Sequence, residues 1–178
     1  DEFIEKMWAY IANQKMWDPM ESETDTPPLA RKDLVEEVNT LVQDTINEWA
    51  RLIAGWKIAW DDGQFFEATL LADITPDMTS YKKEIFWPVA TVIKSSSIEE
   101  SIKIANDSDF GLSATVFWDN QEQCREVAKQ LDGGMIFINQ GAGSKAHLPF
   151  GWVRNSGYGK ENGVDGLRAF TNKKIVLY

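Results

Sequence analysis

The stretch that decides the fold is "VATVIKSSSIEESIKIANDSDFGLSATVF", residues 89–117. It opens with a continuous apolar run, passes through a segment with helical spacing of apolar residues, and closes on a second apolar run. The chain then repeats the pattern with helix-like "NQEQCREVAKQL" at 120–131 and strand-like "GMIFIN" at 134–139. Strands apolar on both faces that alternate with helices predict an α/β fold, a parallel sheet with flanking helices.

The rest of the chain yields coarser predictions. Upstream, the patterns predict helices over 1–14 and 31–50, strands over 50–55 and 65–73, and loops over 18–30, 56–64 and 74–80. Ser97, three residues before Glu100, predicts a capping box. Downstream, the glycine-rich segment 139–163 is too long for a simple connection, which favours a functional loop, and "NKKIVLY" at 172–178 is typical of a strand.

Composition excludes several classes of function. The 178 residues carry a net charge of −10, which disfavours a nucleic-acid partner. No apolar run approaches the roughly 20 residues that span a bilayer, so we expect no membrane partner. One cysteine, Cys124, and one histidine, His147, exclude a disulfide framework and a Cys- or His-rich metal site, and they suit a reducing, cytoplasmic compartment. The missing initial Met predicts a fragment or a processed chain.

Six ordered motifs carry a family resemblance. They are "DPMESETDTPPLA" (18–30), "EIFWPV" (84–89), "ANDSDFGLSATVF" (105–117), "GGMIFIN" (133–139), "PFGWVRNSGYGKE" (149–161) and "FTNKKIVLY" (170–178). In this order and spacing the chain resembles the aldehyde dehydrogenase superfamily, its succinate-semialdehyde dehydrogenase-like members most closely, and in particular the C-terminal part downstream of the nucleophilic cysteine. The resemblance implies a partial catalytic α/β domain at 1–138, a substrate-tunnel and anchor loop region at 139–170, and an oligomerisation strand at 171–178.

The resemblance also implies a chemistry that this chain holds only in part. In such enzymes a thiolate attacks the aldehyde, a hydride passes to NAD or NADP, and water hydrolyses the thioester with a Glu as base. The nucleophilic cysteine, that Glu and the dinucleotide-binding domain precede this segment in the family. Cys124 lies on an apolar helical stripe with Val127 and Leu131, which favours a buried, inert thiol. We therefore expect the chain alone to be inactive, with no catalytic residue of its own.

Two residues of "EIFWPV" are candidates for cofactor binding. The family motif is E-x-F-G-P, in which the counterpart of Glu84 holds the nicotinamide-ribose hydroxyls and that of Phe86 flanks the nicotinamide. A carboxylate accepts hydrogen bonds from two vicinal hydroxyls, and an apolar ring limits where the cofactor sits. Spacing alone favours a helix-end Glu84 and a core Phe86, and the resemblance reverses that preference in favour of the cofactor role.

The glycine-rich loop supplies the substrate candidates. By resemblance, Phe150 lines the aldehyde tunnel, while Gly151, Gly157 and Gly159 permit backbone conformations closed to other residues. Ser144 and Lys145 are candidates for contacting a substrate carboxylate, although the residues themselves favour a solvated loop for both. His147 is interpreted as a surface or loop-packing residue, with a catalytic base as the alternative. Asn139 is expected to organise the loop that follows it through a side-chain hydrogen bond, with direct substrate contact as the alternative.

Tryptophan is the anomaly of this sequence. Five of its eight tryptophans stand where the resembled family has glycine: Trp17, Trp49, Trp56, Trp87 and Trp152. Trp60 and Trp118 precede turn-like residues, and Trp8 fits an apolar helix face. Trp87 is interpreted as a misplaced residue and not as a ligand platform. One hypothesis covers all eight: UGA codons that mean glycine in the source organism were read as tryptophan. Engineering and natural divergence are the alternatives.

Together these observations predict a fragment of an NAD(P)-dependent aldehyde dehydrogenase that converts an aldehyde, such as succinate semialdehyde, to its acid. The expected partners are the aldehyde, the missing N-terminal part of the same enzyme, and further copies joined through 171–178 in a homo-oligomer. The alternative is a non-catalytic module that assembles with a partner through its C-terminal strand, because an unpaired edge strand is a template for pairing.

Overall fold

A computed structural model describes residues 2–59 and 64–178. Trp60 therefore lies outside the described residues. The chain divides into two compact units, Asp1–Lys94 and Ser95–Tyr178. Each unit is described by itself below.

The first unit is built on a three-stranded sheet. Its elements are α1 (Glu2–Ala12), α2 (Lys32–Asn47), β1 (Arg51–Ala54), β2 (Ile58–Ala59), β3 (Phe65–Phe66), β4 (Thr69–Ala72), α3 (Thr79–Lys82) and β5 (Val89–Val92). The strand order is β1-β4-β5, with β1 antiparallel and β5 parallel to β4. The prediction of a loop over 56–64 was wrong in part, because Ile58 and Ala59 pair with Phe66 and Phe65 as β2 and β3.

The core of this unit lies on both faces of β4. Every residue of β4 is buried, which explains its continuous apolar pattern. Leu71 packs in a cluster with Val35, Val38 and Val42 of α2. The neighbouring residues Leu70 and Ala72 point to the other face and pack with Ile4 of α1. The two amphipathic helices predicted from sequence thus cover the two faces of one strand.

The second unit contains a parallel strand pair and several short ladders. Its elements are α4 (Ile98–Asn106), β6 (Phe110–Gly111), β7 (Ser113–Val116), α5 (Gln121–Ala128), β8 (Met135–Ile138), β9 (Phe150–Gly151), β10 (Val153–Arg154), β11 (Lys160–Glu161) and α6 (Gly163–Ala169). β7 and β8 are parallel, in register from Ser113 opposite Met135 to Val116 opposite Ile138. The α/β class with parallel pairing and flanking helices is confirmed. The predicted strands do not form one hydrogen-bonded sheet, however, because β5 pairs with β4 in one sheet while β7 pairs with β8 in another.

The start of α4 confirms the predicted capping box, with one difference. The Ser97 hydroxyl accepts a hydrogen bond from the backbone N–H of Glu100 at 3.1 Å. The Glu100 carboxylate reaches back to Ser96 instead of Ser97, accepting from its backbone N–H at 2.6 Å and its hydroxyl at 2.5 Å. These bonds hold the pKa of Glu100 below its usual range, the Ser96 side chain being the main cause.

The end of α2 is a Schellman motif with tryptophan at its left-handed position. The N–H of Trp49 donates to Ile46 O at 3.0 Å, and the N–H of Ala50 donates to Thr45 O at 3.2 Å. Trp49 has φ 79°, in the region where such helix ends normally carry glycine. Its side chain is 90% exposed. Trp56 also has positive φ, at 71°.

The C-terminal segment 171–178 is exposed and forms no strand within the part of the chain that the structure describes. The predicted strand at 171–178 therefore stays a prediction about pairing with another chain. None of the helices in residues 2–59 and 64–178 has the length and apolar character needed to cross a membrane.

Candidate functional site

A cavity of about 400 Å³ lies in the first unit beside the "EIFWPV" segment. Three parts of the chain form its walls: the loop before α2, one face of α2, and the segment after α3. The lining residues are Pro28, Leu29, Ala30, Leu34, Glu37, Val38, Leu41, Glu84, Phe86 and Trp87. Most of this wall is apolar, and the two charged groups on it are both glutamates.

Backbone hydrogen bonds fix the segment that carries Glu84 and Phe86. The helix α3 ends at Lys82, and Lys83 is already extended at φ −115° and ψ 141°. The N–H of Val89 donates to Phe86 O at 3.2 Å, and the N–H of Thr69 donates to Pro88 O at 2.9 Å. The segment is therefore anchored to the first residue of β4, the most buried strand of the unit.

Glu84 and Phe86 both lie exposed beside the cavity of the first unit. Phe86 is 72% exposed, which rules out the alternative of a core phenylalanine. Glu84 lies on the surface two residues beyond the end of α3. Within the described ranges its carboxylate has no hydrogen-bond or ion-pair partner, so all its acceptor positions are available to a ligand.

Two further residues of this cavity were not predicted as part of it. Trp87, interpreted from sequence as a misplaced residue and not as a ligand platform, is 48% exposed and lines the cavity next to Phe86. Glu37 was not singled out at all. Its spacing from Leu34 and Leu41 in α2 is the signal that indicates it, because residues three and four apart share one face of a helix.

Phe150 lies in the second unit, at the start of the short strand β9. It pairs with Glu161 of β11, and its ring contacts Trp152 edge-on with 5.5 Å between centroids. The ring is half-buried. Of the three glycines expected to need special backbone, Gly157 and Gly159 have positive φ, at 146° and 88°. Gly151 does not, and a Cβ there would meet only the flexible end of the Lys160 side chain, at 2.3 Å.

The loop that carries Ser144 and Lys145 is exposed and tied down by the segment before α6. The Ser144 hydroxyl accepts a hydrogen bond from Asn162 Nδ2 at 2.9 Å. The backbone carbonyl of Lys145 accepts a hydrogen bond from the N–H of Leu148 at 3.0 Å. Lys145 is exposed, so its ammonium group lies at the surface. His147 is exposed, in agreement with its interpretation as a surface or loop residue.

Arg154 holds this loop region to the rest of its unit. Its guanidinium donates to the backbone oxygens of Asn106, at 2.6 Å, and Ser108, and it pairs with Asp132 at 2.6 Å. The loop therefore rests on the end of α4 and on the connection before β8. The structure thus gives Arg154 a positioning role that sequence reasoning did not assign.

Asn139 and Cys124 both serve the fold of the second unit. The Asn139 side chain donates to Trp118 O and accepts from Trp118 N–H, each at 2.8 Å. Asn139 therefore organises the chain after β7. The expectation that it organises the loop after residue 139 was wrong. Cys124 is fully buried, and its thiol contacts Trp118 O at 3.6 Å, which confirms the prediction of a buried thiol.

Comparison with known proteins places these features in one family. The aldehyde dehydrogenase family model matches residues 1–176. The chain is 39% identical over 174 residues to the NAD(P)+ succinate semialdehyde dehydrogenase Sad of Escherichia coli K12, covering 98% of this chain and 38% of that protein. It is 36% identical to the NADP+ succinate-semialdehyde dehydrogenase of Deinococcus radiodurans, covering 99% of this chain and 37% of that one. The chain thus spans well under half the length of these curated relatives.

Solved structures agree. The succinic semialdehyde dehydrogenase of Streptococcus pyogenes, in complex with NADP+, superposes with a TM-score of 0.95 at 36% identity and covers 100% of this chain and 39% of that one. An NAD+ complex of the Bacillus cereus aldehyde dehydrogenase gives 0.91 at 35% identity, covering 96% and 35%. Since the family model matches nearly every residue and the fold agrees along the whole chain, this protein belongs to the aldehyde dehydrogenase family.

Proposed function

We propose that the chain is the C-terminal part, downstream of the nucleophilic cysteine, of an NAD(P)-dependent aldehyde dehydrogenase. The reaction is oxidation of an aldehyde to a carboxylic acid, with succinate semialdehyde as the substrate that the relatives' names favour. The observation that carries the proposal is the cavity edge where Glu84 and Phe86, the two motif residues, lie together with free contact surface.

The residues present fit the nicotinamide end of such a cofactor. Glu84 has an unengaged carboxylate that can accept hydrogen bonds from two ribose hydroxyls. Phe86 presents an exposed ring as a flat apolar wall for the nicotinamide. When bound, the oxidised nicotinamide supplies the hydride acceptor; these two residues orient it and keep one side of it dry.

In the second unit, Phe150, Ser144 and Lys145 form the proposed substrate side. The half-buried ring of Phe150 supplies an apolar surface for the acyl chain. Ser144 accepts a hydrogen bond from Asn162, so its own O–H remains available to donate to a substrate carboxylate. The exposed ammonium of Lys145 supplies a positive charge for the same group. A substrate with an aldehyde at one end and a carboxylate at the other, such as succinate semialdehyde, fits this combination of an apolar wall with two carboxylate-binding groups.

The chain by itself is proposed to be inactive. Its one cysteine, Cys124, is fully buried and therefore unable to reach an aldehyde. The test is to mix the chain with a separately expressed upstream part of the same enzyme, or that of the Escherichia coli relative, and to measure NAD(P)H absorbance with succinate semialdehyde. We expect turnover only with both parts, and a loss of at least about tenfold with Glu84→Gln, since charge-assisted hydrogen bonds are worth about 1.5–3 kcal/mol.

A second candidate is a non-catalytic assembly module, supported by the exposed apolar residues Ile175 and Leu177 of the C-terminal segment. An unpaired segment of this kind is able to add a strand to a partner sheet. In the enzyme proposal the same segment joins copies into a cytoplasmic homo-oligomer. If the two parts assemble into a stable complex without any NAD(P)H formation, the result favours the assembly module over the enzyme as the function of this chain.

We further propose that the tryptophans at 49 and 56 stand at glycine positions because UGA codons were read as tryptophan. Their positive φ values, 79° and 71°, support this, since such backbone favours glycine on steric grounds alone. The Nε1 group of Trp56 is also buried without a hydrogen-bond partner among the described residues, which is uncommon for a native tryptophan. Sequencing of the source DNA decides the matter: UGG at these codons sinks the idea.

A further inference from the structure

We infer that Glu37 is a second binding carboxylate of the Glu84–Phe86 cavity and that it makes this cavity selective for the oxidised, cationic form of a nicotinamide ring. This inference rests on the proposed function and deepens it. Glu84 accounts for the ribose hydroxyls, but nothing in that role explains a second acidic group on the same wall.

The position of Glu37 follows from the helix that carries it. In α2, Val35, Val38 and Val42 are buried against the sheet, whereas Leu34, Glu37 and Leu41 lie beside them and line the cavity. Glu37 itself is exposed. Because α2 is held by its buried valines, the Glu37 carboxylate is delivered to the cavity wall by a rigid element and not by a mobile loop.

The charges near Glu37 leave its negative charge largely uncompensated. Arg31 interacts electrostatically with Glu37, but its guanidinium is hydrogen-bonded to Asp33 at 2.9 Å through both Nε and Nη2. Among the described residues that line the cavity there is no lysine or arginine. The cavity therefore combines two carboxylates with apolar and aromatic walls.

This combination selects a particular ligand chemistry. A flat apolar ring suits the walls, and a positive charge on that ring is attracted by both carboxylates and by the face of Phe86. The oxidised nicotinamide ring is such a cation, whereas the reduced ring is neutral. The wall of the cavity thus favours the hydride acceptor over its product, which eases release of the reduced form after reaction. These roles of Glu37 and Phe86 do not depend on Trp87, so they hold equally for a chain with glycine at position 87.

The expected size of the effect is modest because Glu37 is exposed. Two unit charges about 4–5 Å apart in a water-like medium interact by roughly 1 kcal/mol, which corresponds to about a fivefold preference. We expect the full chain to bind oxidised nicotinamide mononucleotide about three- to fivefold more tightly than the reduced form, by ligand-detected NMR titration.

The test compares Glu37→Gln with Glu36→Gln, a matched control on the neighbouring exposed glutamate that is not among the residues lining this cavity. Glu37→Gln should lower the ratio of oxidised to reduced affinity at least twofold, mainly by weakening the oxidised form, and Glu36→Gln should leave it unchanged. Circular dichroism checks that α2 is intact in both.

The outcomes separate this inference from the proposed function. Equal ratios for the two variants overturn the role of Glu37; if Glu84→Gln still abolishes binding of both forms, the proposed cofactor site stands without it. If neither form binds the unaltered chain at millimolar concentration, the inference about Glu37 is overturned, while the proposed function is decided separately by the NAD(P)H assay with both parts.

Discussion

At the end of α2, the backbone conformation of Trp49 is one that favours glycine, whereas its side chain is the largest of all residues. The Schellman hydrogen bonds require a left-handed residue there, and Trp49 satisfies them at φ 79°. A non-glycine residue pays for that conformation with about 1–2 kcal/mol of steric strain. The indole is 90% exposed, so it returns little packing energy. Trp49 therefore lowers the stability of its own unit.

We predict that Trp49→Gly raises the free energy of unfolding by about 1 kcal/mol, since it removes the strain and little buried surface. Urea unfolding followed by circular dichroism measures the change. Trp8→Gly is the control, because Trp8 is inside α1, where glycine lowers helix stability by several tenths of a kcal/mol. A loss of stability in both variants contradicts the argument for position 49.

Asp73, also at positive φ, links the ends of two strands. Its carboxylate accepts from Arg51 Nε at 2.6 Å and lies 3.9 Å from Lys94 Nζ. The Arg51 hydrogen bond is the main cause that lowers the pKa of Asp73 below its usual range. A carboxyl with a lowered pKa in the folded state contributes stability above its unfolded value, about 3.9, and loses it as the pH falls through the folded value.

We therefore predict that Asp73→Asn costs at most about 1 kcal/mol at pH 7, because the pair is partly exposed. Asparagine tolerates the same backbone, so the change isolates the charge. The difference in melting temperature between the two proteins should be constant from pH 7 to about pH 5 and close below about pH 4. Asp44→Asn, on the exposed face of α2, controls for the general loss of a negative charge; a gap that persists in acid rules out the ion pair as its cause.

Among the elements, β8 and β9 depend on one close approach of two glycines. The backbone of Gly134, just before β8, comes so near to Gly151 of β9 that a Cβ on Gly134 would lie 1.9 Å from Gly151 O. The obstacle is backbone, which cannot rotate away as a side chain would. This contact brings the start of the Phe150 segment against the start of β8.

Gly134→Ala should therefore destabilise the second unit by about 1–3 kcal/mol or more, the usual range for forced overpacking. Gly143→Ala is the matched control, since nothing lies within 4 Å of a Cβ there. Differential scanning calorimetry of both variants measures the effect. Similar melting behaviour for the two would show that the glycine contact does not determine the position of β9.

Elements with a strong local signal were predictable from sequence. The helical periods of α2 and α4, the capping serine at 97 and the buried run of β4 all depend on residues close together in the chain. The hairpin of β2 and β3 was missed because two-residue strands carry too little pattern to register. Strand partners were missed because pairing joins distant residues, and sequence periodicity does not rank them.

The candidate site was predictable only where a motif marks it. Glu84 and Phe86 belong to a motif, and the structure places them on a cavity. Glu37 has no motif. Its helical spacing indicates that it shares a face of α2 with Leu34 and Leu41, but only the fold places that face beside the Glu84 segment. For the same reason, the side-chain hydrogen bonds of Asn139 and Arg154 were not predictable. Asn139 bonds to a residue 21 positions away in the chain, and Arg154 bonds to residues 22 to 48 positions away.

At the scale of the whole molecule, the exposed C-terminal segment is the proposed site of assembly with other chains. Ile175 and Leu177 are 84% and 89% exposed, and alternate residues of an extended segment share one face. A short apolar face of this kind is stabilised by pairing with a sheet of another chain. The role proposed for this segment is therefore assembly, and its loss should leave each unit intact.

We predict that removal of residues 173–178 reduces the mass in solution to that of a single chain while the melting temperature of the remaining protein changes little. Light scattering coupled to size exclusion measures the mass. Ile175→Asp, which keeps the length but places a charge on the pairing face, should act in the same direction. A full chain that is already monomeric under the same conditions would remove oligomerisation from the proposed roles of this segment.

The paired hydrogen bonds of Asn139 have a consequence for chemical ageing. An amide side chain offers a donor and an acceptor at once, which is how Asn139 serves both the N–H and the oxygen of Trp118. Spontaneous deamidation would convert it to a carboxylate, which only accepts and would face the Trp118 oxygen with a negative charge. The junction after β7 and β8 is thus a place where a slow loss of ammonia, without any change in the gene, would loosen the second unit over time.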